Sequence, residues 1–358
     1  MRNSEAVRTI AASILGLAAI VAGAQANAQS QPAPANFRTF VPASVSPQAR
    51  AILEKYAPVA AQAMAHFPPL KTPADFDALY AQTLAPAVAQ SAAVVKALDV
   101  TSSDSKLGGV GVVNTKPLGY VDDGTVLVRV HGGGWILGSA RSSAGSDATM
   151  SIVTGRRIVS VDYTVAPRGN WHLITDQVIA VYKAVLAEGY KPASIGIYGD
   201  SAGANIVAGS VLKLRDQGIP MPGAMLLMSP CVDLHLNGDT ETTLRNADPV
   251  LDIDPVLPGL NAYAGPADWN NPYVSPVYGD FTKGSPPVLI QAGTKEMLLS
   301  DSIRLYQAIK VAGGEAELDV YEGMPHVFQG YMQGTPEQKE AFAEIQRFWR
   351  SHLVATRH

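Results

Sequence analysis

The sequence predicts an α/β fold: a mostly parallel sheet flanked by helices, forming one main domain with a helical appendage at its N-terminal side. Three observations lead there. Beyond residue 120, short β-rich runs alternate with helix-sized segments and no clear linker interrupts them. The runs are apolar on both faces, as strands buried between helix layers must be. The chain of 358 residues is 47% hydrophobic and only 16% charged, enough apolar material for a large core and too little charge for disorder.

The elements follow in order. Residues 1–28 have the make-up of a secretory signal peptide: Arg2 and Arg8 at the start, an apolar run from Ile10 to Val21, and the small-residue site Ala26-Asn27-Ala28. No Arg-Arg pair precedes the run and no cysteine lies near the cut, so general export to periplasm or medium is expected. The run is shorter than the ~20 residues a bilayer span needs, and no stable membrane span is expected after cleavage. Ser46-Pro47 opens a helix with Ile52, Leu53, Tyr56, Val59 and Ala60 on one face, and Pro68-Pro69 closes it. Thr72-Pro73-Ala74-Asp75 starts a second helix reaching toward residue 100, with Pro86 expected to kink or split it. Residues 29–105 thus read as an N-terminal helical segment and 106–358 as the main domain.

Strands are expected at Val126–Val130, Ile158–Asp162, Ile195–Tyr198, Ala224–Met228, Val288–Gln291 and Leu318–Tyr321. The last helix opens at Thr335-Pro336-Glu337 and turns Phe342, Ile345, Phe348, Trp349 and Leu353 inward.

Charge and cysteine content narrow the function. With 27 basic against 31 acidic residues the net charge is −4, so no strongly positive surface is offered to phosphates and nucleic acid is not an expected partner. The single cysteine, Cys231, cannot form an internal disulfide or a thiolate metal cluster and reads as a small buried hydrophobe. No H-E-x-x-H, paired C-x-x-C or Gly-rich phosphate loop occurs, and no metal or cofactor is expected.

The chemistry is written at strand ends. After Ile195–Tyr198 comes Gly199-Asp200-Ser201-Ala202-Gly203, then a helical pattern to Gln217 stopped by Gly218. A serine on so tight a strand-to-helix turn needs glycine on both sides, because neighbouring backbone comes too close for a Cβ. The helix that follows points its positive end at Ser201. After Val126–Val130 comes His131-Gly132-Gly133-Gly134-Trp135, whose glycines leave backbone N–H groups unshielded, as stabilisation of a developing oxyanion requires. His131 is expected to order this loop through its ring.

Together, H-G-G-G-W and G-D-S-A-G resemble the hormone-sensitive-lipase family of bacterial carboxylesterases, on the α/β-hydrolase fold, over about residues 120–350. The turns at Asp162-Tyr163, Ser229-Pro230 with Asp233-Leu234, and Asn271-Pro272 are also similar to that family's. The stretch Thr164–Trp171 departs from its usual Arg-Leu-Ala-Pro-Glu wording, which loosens the subfamily and the substrate. The resemblance implies oxyanion donors at the N–H groups of Gly133, Gly134 and Ala202, and a cap built from the N-terminal segment and an insertion at about 235–275.

A serine hydroxyl needs a base, and the base needs an acid. His326 is the expected base: Met324-Pro325-His326-Val327-Phe328 sits just beyond a late strand and resembles the family's histidine loop. Where the family shows Asp-Pro-Leu, this chain has Lys295-Glu296-Met297-Leu298, and aligning the leucine puts Glu296 in the acid's place. Asp301 is the competing carboxylate, five residues on, where it would cap the next helix.

The expected function is a serine carboxylesterase acting on small-molecule, short-chain acyl esters through an acyl-enzyme. Other readings of the same sequence are an amidase or carbamate hydrolase, a longer-chain lipase, or a ligand-binding relative without catalysis. A homodimer is compatible with the sequence but not specified by it.

Overall fold

The computed structural model describes residues 37–356, so the leader-like stretch 1–28 lies outside the described residues. In chain order these form α1 (Pro47–Ala65), α2 (Pro73–Ala97), β1 (Val100–Leu107), β2 (Val110–Pro117), β3 (Val126–Val130), α3 (Ala140–Thr154), β4 (Arg157–Val161), α4 (Trp171–Ala187), β5 (Ile195–Asp200) and α5 (Ala202–Asp216). There follow β6 (Ala224–Met228), α6 (Asp239–Thr243), α7 (Leu257–Tyr263), β7 (Val288–Gly293), α8 (Leu299–Val311), β8 (Ala316–Tyr321) and α9 (Pro336–His352).

The strands make one sheet in the order β1-β2-β4-β3-β5-β6-β7-β8. Pairing is parallel from β4 through β8, while β1–β2 and β2–β4 are antiparallel. All residues of β3, β5 and β6 except Asp200 are buried, the condition for strands covered on both faces. One face packs under α9, where Leu127, Tyr198, Leu226, Ile345, Phe348 and Trp349 form a cluster. The other face carries Val128, Ile197, Leu227 and Ile290 against α4, α5 and α8. The α/β-hydrolase arrangement expected from the sequence is the one observed.

Three expectations need correction. The segment 29–105 is not wholly helical, because β1 starts at Val100 and belongs to the sheet. This edge hairpin turns through Gly108 and Gly109, both at positive φ. Pro86 neither breaks nor splits α2, which runs unbroken from Pro73 to Ala97 under a Thr72–Asp75 capping box. In α1 the buried stripe is Ala49, Leu53 and Ala57, while Tyr56 and Val59 face outward. Tyr56 instead stacks on Tyr331, centroids 5.1 Å apart. The C-terminal helix follows its predicted pattern: Thr335 caps it by accepting the Gln338 N–H, and Ile345, Phe348 and Trp349 are buried.

Candidate active site

At the carboxyl end of β5 the chain turns abruptly into α5, and Ser201 takes φ +54° and ψ −125°, strained for a residue with a side chain. The strain is held from both sides. Ser201 N–H donates to the Met228 carbonyl at 2.9 Å. A Cβ at Gly203 would strike the carbonyls of Val130 and His131, so only glycine lets the elbow sit directly on the loop after β3. Although Ser201 occupies the N-cap position, its hydroxyl makes no capping bond. It lies 2.8 Å from His326 Nε2.

The imidazole of His326 is buried, and its Nδ1 is 3.0 Å from Glu296 Oε2. The other oxygen of Glu296 accepts the N–H of Gly293 at 2.6 Å, which fixes the carboxylate's rotation. With the ring proton on Nδ1 facing the carboxylate, Nε2 is left as an acceptor for the serine hydroxyl. Burial alone would depress the imidazole pKa, but the hydrogen bond and charge of Glu296, aided by Asp248 and Asp200, outweigh it and hold it above the ordinary histidine value.

Asp301, the competing carboxylate, is elsewhere engaged. It lies in the first turn of α8, which begins at Leu299 and has Leu298 rather than Asp301 at its cap. Its Oδ2 accepts the N–H groups of Val232 and Asp233 at 2.6 and 3.1 Å. Burial and the neighbouring Glu241 carboxylate push its pKa well up. Asp301 therefore braces the turn after β6 and does not meet His326.

The glycine loop folds back on itself: the Gly133 carbonyl accepts from Ile136 and Leu137 N–H at 3.2 and 2.9 Å. Gly133 has φ +112°, and a Cβ there would collide with the Leu137 carbonyl. His131 Nδ1 bonds the Gly132 carbonyl at 2.8 Å, and its ring stacks on Tyr163 with centroids 4.2 Å apart. Burial pushes the His131 pKa down to about 4, so at neutral pH the ring is an uncharged strut. Trp135 closes the loop, donating from Nε1 to Asn205 Oδ1 at 3.3 Å and stacking on Tyr263 of α7. Ala202, as the first residue of α5, has no intrahelical acceptor for its N–H. The structure thus brings Gly133, Gly134 and Ala202 to the same strand ends as Ser201.

Two side chains here were not singled out from the sequence. Asp248, fully buried in the insertion after β6, accepts the backbone N–H of His326 at 3.2 Å. Its other oxygen takes the N–H groups of Val250 and Leu251 at 2.8 and 3.1 Å. Burial raises its pKa to about 6, against the opposing pull of His326. Lys295, beside Glu296, donates to the carbonyls of Phe37, Arg38 and Phe40 at 2.7, 3.3 and 2.6 Å, and burial lowers its pKa to about 8. Among the described residues no group of three or more His, Cys, Asp or Glu side chains could hold a metal ion. Cys231 is buried and free.

Fold and site together mark a hydrolase of the α/β class, and known proteins agree. A family model described as the alpha/beta hydrolase fold matches residues 127–330. An esterase of Acinetobacter venetianus is 34% identical over 224 residues, 62% of this chain and 74% of that protein. An acetyl-hydrolase of Streptomyces hygroscopicus is 31% identical over 229 residues, 64% and 76% of the two chains. A crystal structure of an esterase from the bacterial hormone-sensitive lipase family superposes with TM-score 0.74 at 30% identity, covering 86% of this chain and 99% of that one. The chain belongs to the bacterial hormone-sensitive-lipase family of α/β-hydrolase-fold carboxylesterases, and its activity is carboxylic ester hydrolysis. No helix of the described residues is long and apolar enough to cross a membrane.

Proposed function

We propose that the protein is a serine carboxylesterase for short-chain acyl esters, with Ser201 as nucleophile, His326 as base, Glu296 as acid, and the N–H groups of Gly133, Gly134 and Ala202 as oxyanion donors. One observation carries the reading: the His326 ring bridges Ser201 Oγ at 2.8 Å and Glu296 at 3.0 Å. His326 Nε2 takes the serine proton as Oγ adds to the ester carbonyl, and the carbonyl oxygen gathers its charge against the glycine-loop and α5 amides. The same nitrogen returns the proton to the alkoxy oxygen, the alcohol leaves, and an acyl-enzyme remains. Water, deprotonated by His326, then releases the acid and restores the serine.

A short acyl group is supported by how closely the cap sits on the loop. A Cβ at Gly134 would meet the Val256 side chain at 2.5 Å, and one at Gly259 would meet the Gly134 carbonyl at 2.9 Å. The similar Streptomyces protein is described as an acetyl-hydrolase.

The test is hydrolysis of p-nitrophenyl esters from acetate to dodecanoate, beside labelling with a fluorophosphonate. Expected are a maximum at acetate to butyrate and a label on Ser201, with kcat in Ser201→Ala lower by about 10⁶-fold. A maximum at decanoate or dodecanoate would refute the short-chain reading, and an unlabelled Ser201 would refute the serine mechanism.

A further inference from the structure

In the middle of β3, a strand otherwise made of valine and leucine, stands Arg129. Two residues on from Leu127, it points to the sheet face covered by α3 and α9, and its side chain is buried there. The guanidinium joins two carboxylates: Nε meets Asp147 Oδ1 of α3 at 3.2 Å, and Nη2 donates to Asp200 Oδ1 at 2.8 Å. We infer that Arg129 is a positioning residue for ester hydrolysis: it pins and neutralises Asp200, which would otherwise stand as an uncompensated negative charge where the reaction has to gather an anion. This rests on the serine-esterase reading above.

Asp200 stands at the junction of the two strand ends. It is the residue before Ser201, and its Oδ2 packs against the first glycine of the loop after β3: a Cβ at Gly132 would lie 2.4 Å from that oxygen. Gly133, one residue or ~4 Å farther along, carries one of the proposed oxyanion N–H groups. The charge of Asp200 also reaches His326, which feels three carboxylates, Glu296, Asp248 and Asp200. A cation acts on two of them, Lys295 on Asp248 and Arg129 on Asp200. Without Arg129, the Asp200 carboxylate would oppose charge on the carbonyl oxygen and hold a proton on His326 more tightly.

Stability alone does not account for this cation. Taking a guanidinium and the fully buried Asp147 out of water is costly, and apolar side chains in place of such a group commonly leave a protein as stable or more so. Nor is the pairing complete, since Arg129 Nη1 finds no acceptor among the described residues. The other titratable groups around the guanidinium are Tyr198, whose ring centroid lies 5.9 Å from Cζ, and His131. Burial keeps both neutral, raising Tyr198 well above its usual value and lowering His131 to about 4. Asp147, which burial raises to about 6 against the pull of Arg129, is the neighbour that titrates closest to His326, so its own variant belongs in the test.

The test is the pH dependence of p-nitrophenyl acetate hydrolysis by the purified full chain over about pH 5 to 9, with circular dichroism as the check on folding. In Arg129→Met, which keeps an unbranched side chain but not its charge, kcat is expected to fall about tenfold with KM nearly unchanged, and the acid limb of the kcat/KM profile to move up by about half a pH unit or more. Arg129→Lys should restore both. Asp147→Asn breaks the same tie between β3 and α3 yet leaves Asp200 its cation, so its limb should not move up. In Arg129→Met/Asp200→Asn the stray charge is gone, and the limb should return to the wild-type position or below it. Should Arg129→Met not fold, Arg129→Met/Asp147→Asn removes both buried charges together and should show the same upward limb, because Asp200 is again alone. A limb that stays in place when Arg129 is lost, or one that Asp200→Asn does not bring back, would overturn the assignment and leave Arg129 a structural tie. Fluorophosphonate labelling of the wild type keeps the two ideas apart. If Ser201 takes the label while the limb stays put, only the role of Arg129 falls; if Ser201 takes none, the serine mechanism itself falls.

Discussion

The two sides of Ser201 are held by different means. On the side of the proposed oxyanion donors, the glycine loop and the elbow belong to adjacent parallel strands, β3 and β5, and are locked backbone against backbone, with Gly203 seated on the carbonyls of Val130 and His131. On the side of the proposed base and acid, His326, Glu296 and Asp248 come from three separate segments joined by side-chain hydrogen bonds. One of those segments, around Asp248, is the insertion after β6. A second tie, from Lys295 to the carbonyls of Phe37, Arg38 and Phe40, binds the loop of Glu296 to the start of the described chain. The first side is set by strand pairing and tolerates no Cβ; the second depends on the docking of segments remote in sequence.

The comparison can be broken most severely at Glu296. In Glu296→Gln the Gly293 N–H still requires an acceptor, so the amide oxygen stays with Gly293 and the NH₂ group faces His326 Nδ1. The ring is then driven to carry its proton on Nε2, where it cannot accept one from Ser201. A fall in kcat of about 10⁴-fold is expected with the fold intact, measured by single-turnover acylation and circular dichroism. A fall of less than tenfold would hand the acid's role to another carboxylate.

On the other side, Gly133→Ala places a methyl group against the Leu137 carbonyl and displaces an expected donor. About 10²–10³-fold in kcat should be lost, with KM for p-nitrophenyl acetate nearly unchanged. An equal rise in KM would mean the loop binds the ground state instead.

The smallest effect, and the sharpest for the comparison, is expected at Asp248. Asp248→Asn keeps an acceptor for the His326 N–H but removes a negative charge that helps raise the imidazole pKa. The proposed mechanism needs His326 neutral, so kcat/KM should be lost as pH falls through that pKa, which lies above the ordinary histidine value. Removing the charge lowers it, and the acid limb of the pH–rate profile should move to lower pH, with a loss of about tenfold or less at neutral pH. A limb that stays in place, or moves upward, would show that Asp248 acts on the backbone alone.

How much could be read in advance followed contiguity. Six strands and the last helix were legible because their apolar periodicity is strong. The hairpin β1–β2 was not: between Val100 and Leu107, β1 reads Thr-Ser-Ser-Asp-Ser-Lys, an edge strand with polar residues on both faces, and only Gly108-Gly109 hinted at a turn. In α1 an apolar count pointed at Tyr56 and Val59, yet the buried stripe is Ala49, Leu53 and Ala57, each four residues from the next. Asp248 carries no local mark of its partner, 78 positions away.

By itself the sequence determined the strained elbow around Ser201, the glycine loop and the histidine turn, because each is a backbone conformation that only particular neighbouring residues permit. It left Glu296 and Asp301 as rival carboxylates, since both sit near the end of β7 and neither has a local feature that decides. Only the tertiary structure separated them: the end of β7 aims Glu296 at His326, while the first turn of α8 directs Asp301 to the amides of Val232 and Asp233. The direction of a side chain depends on how strands, helices and the insertion pack, and that packing is a sum of contacts between residues far apart along the chain.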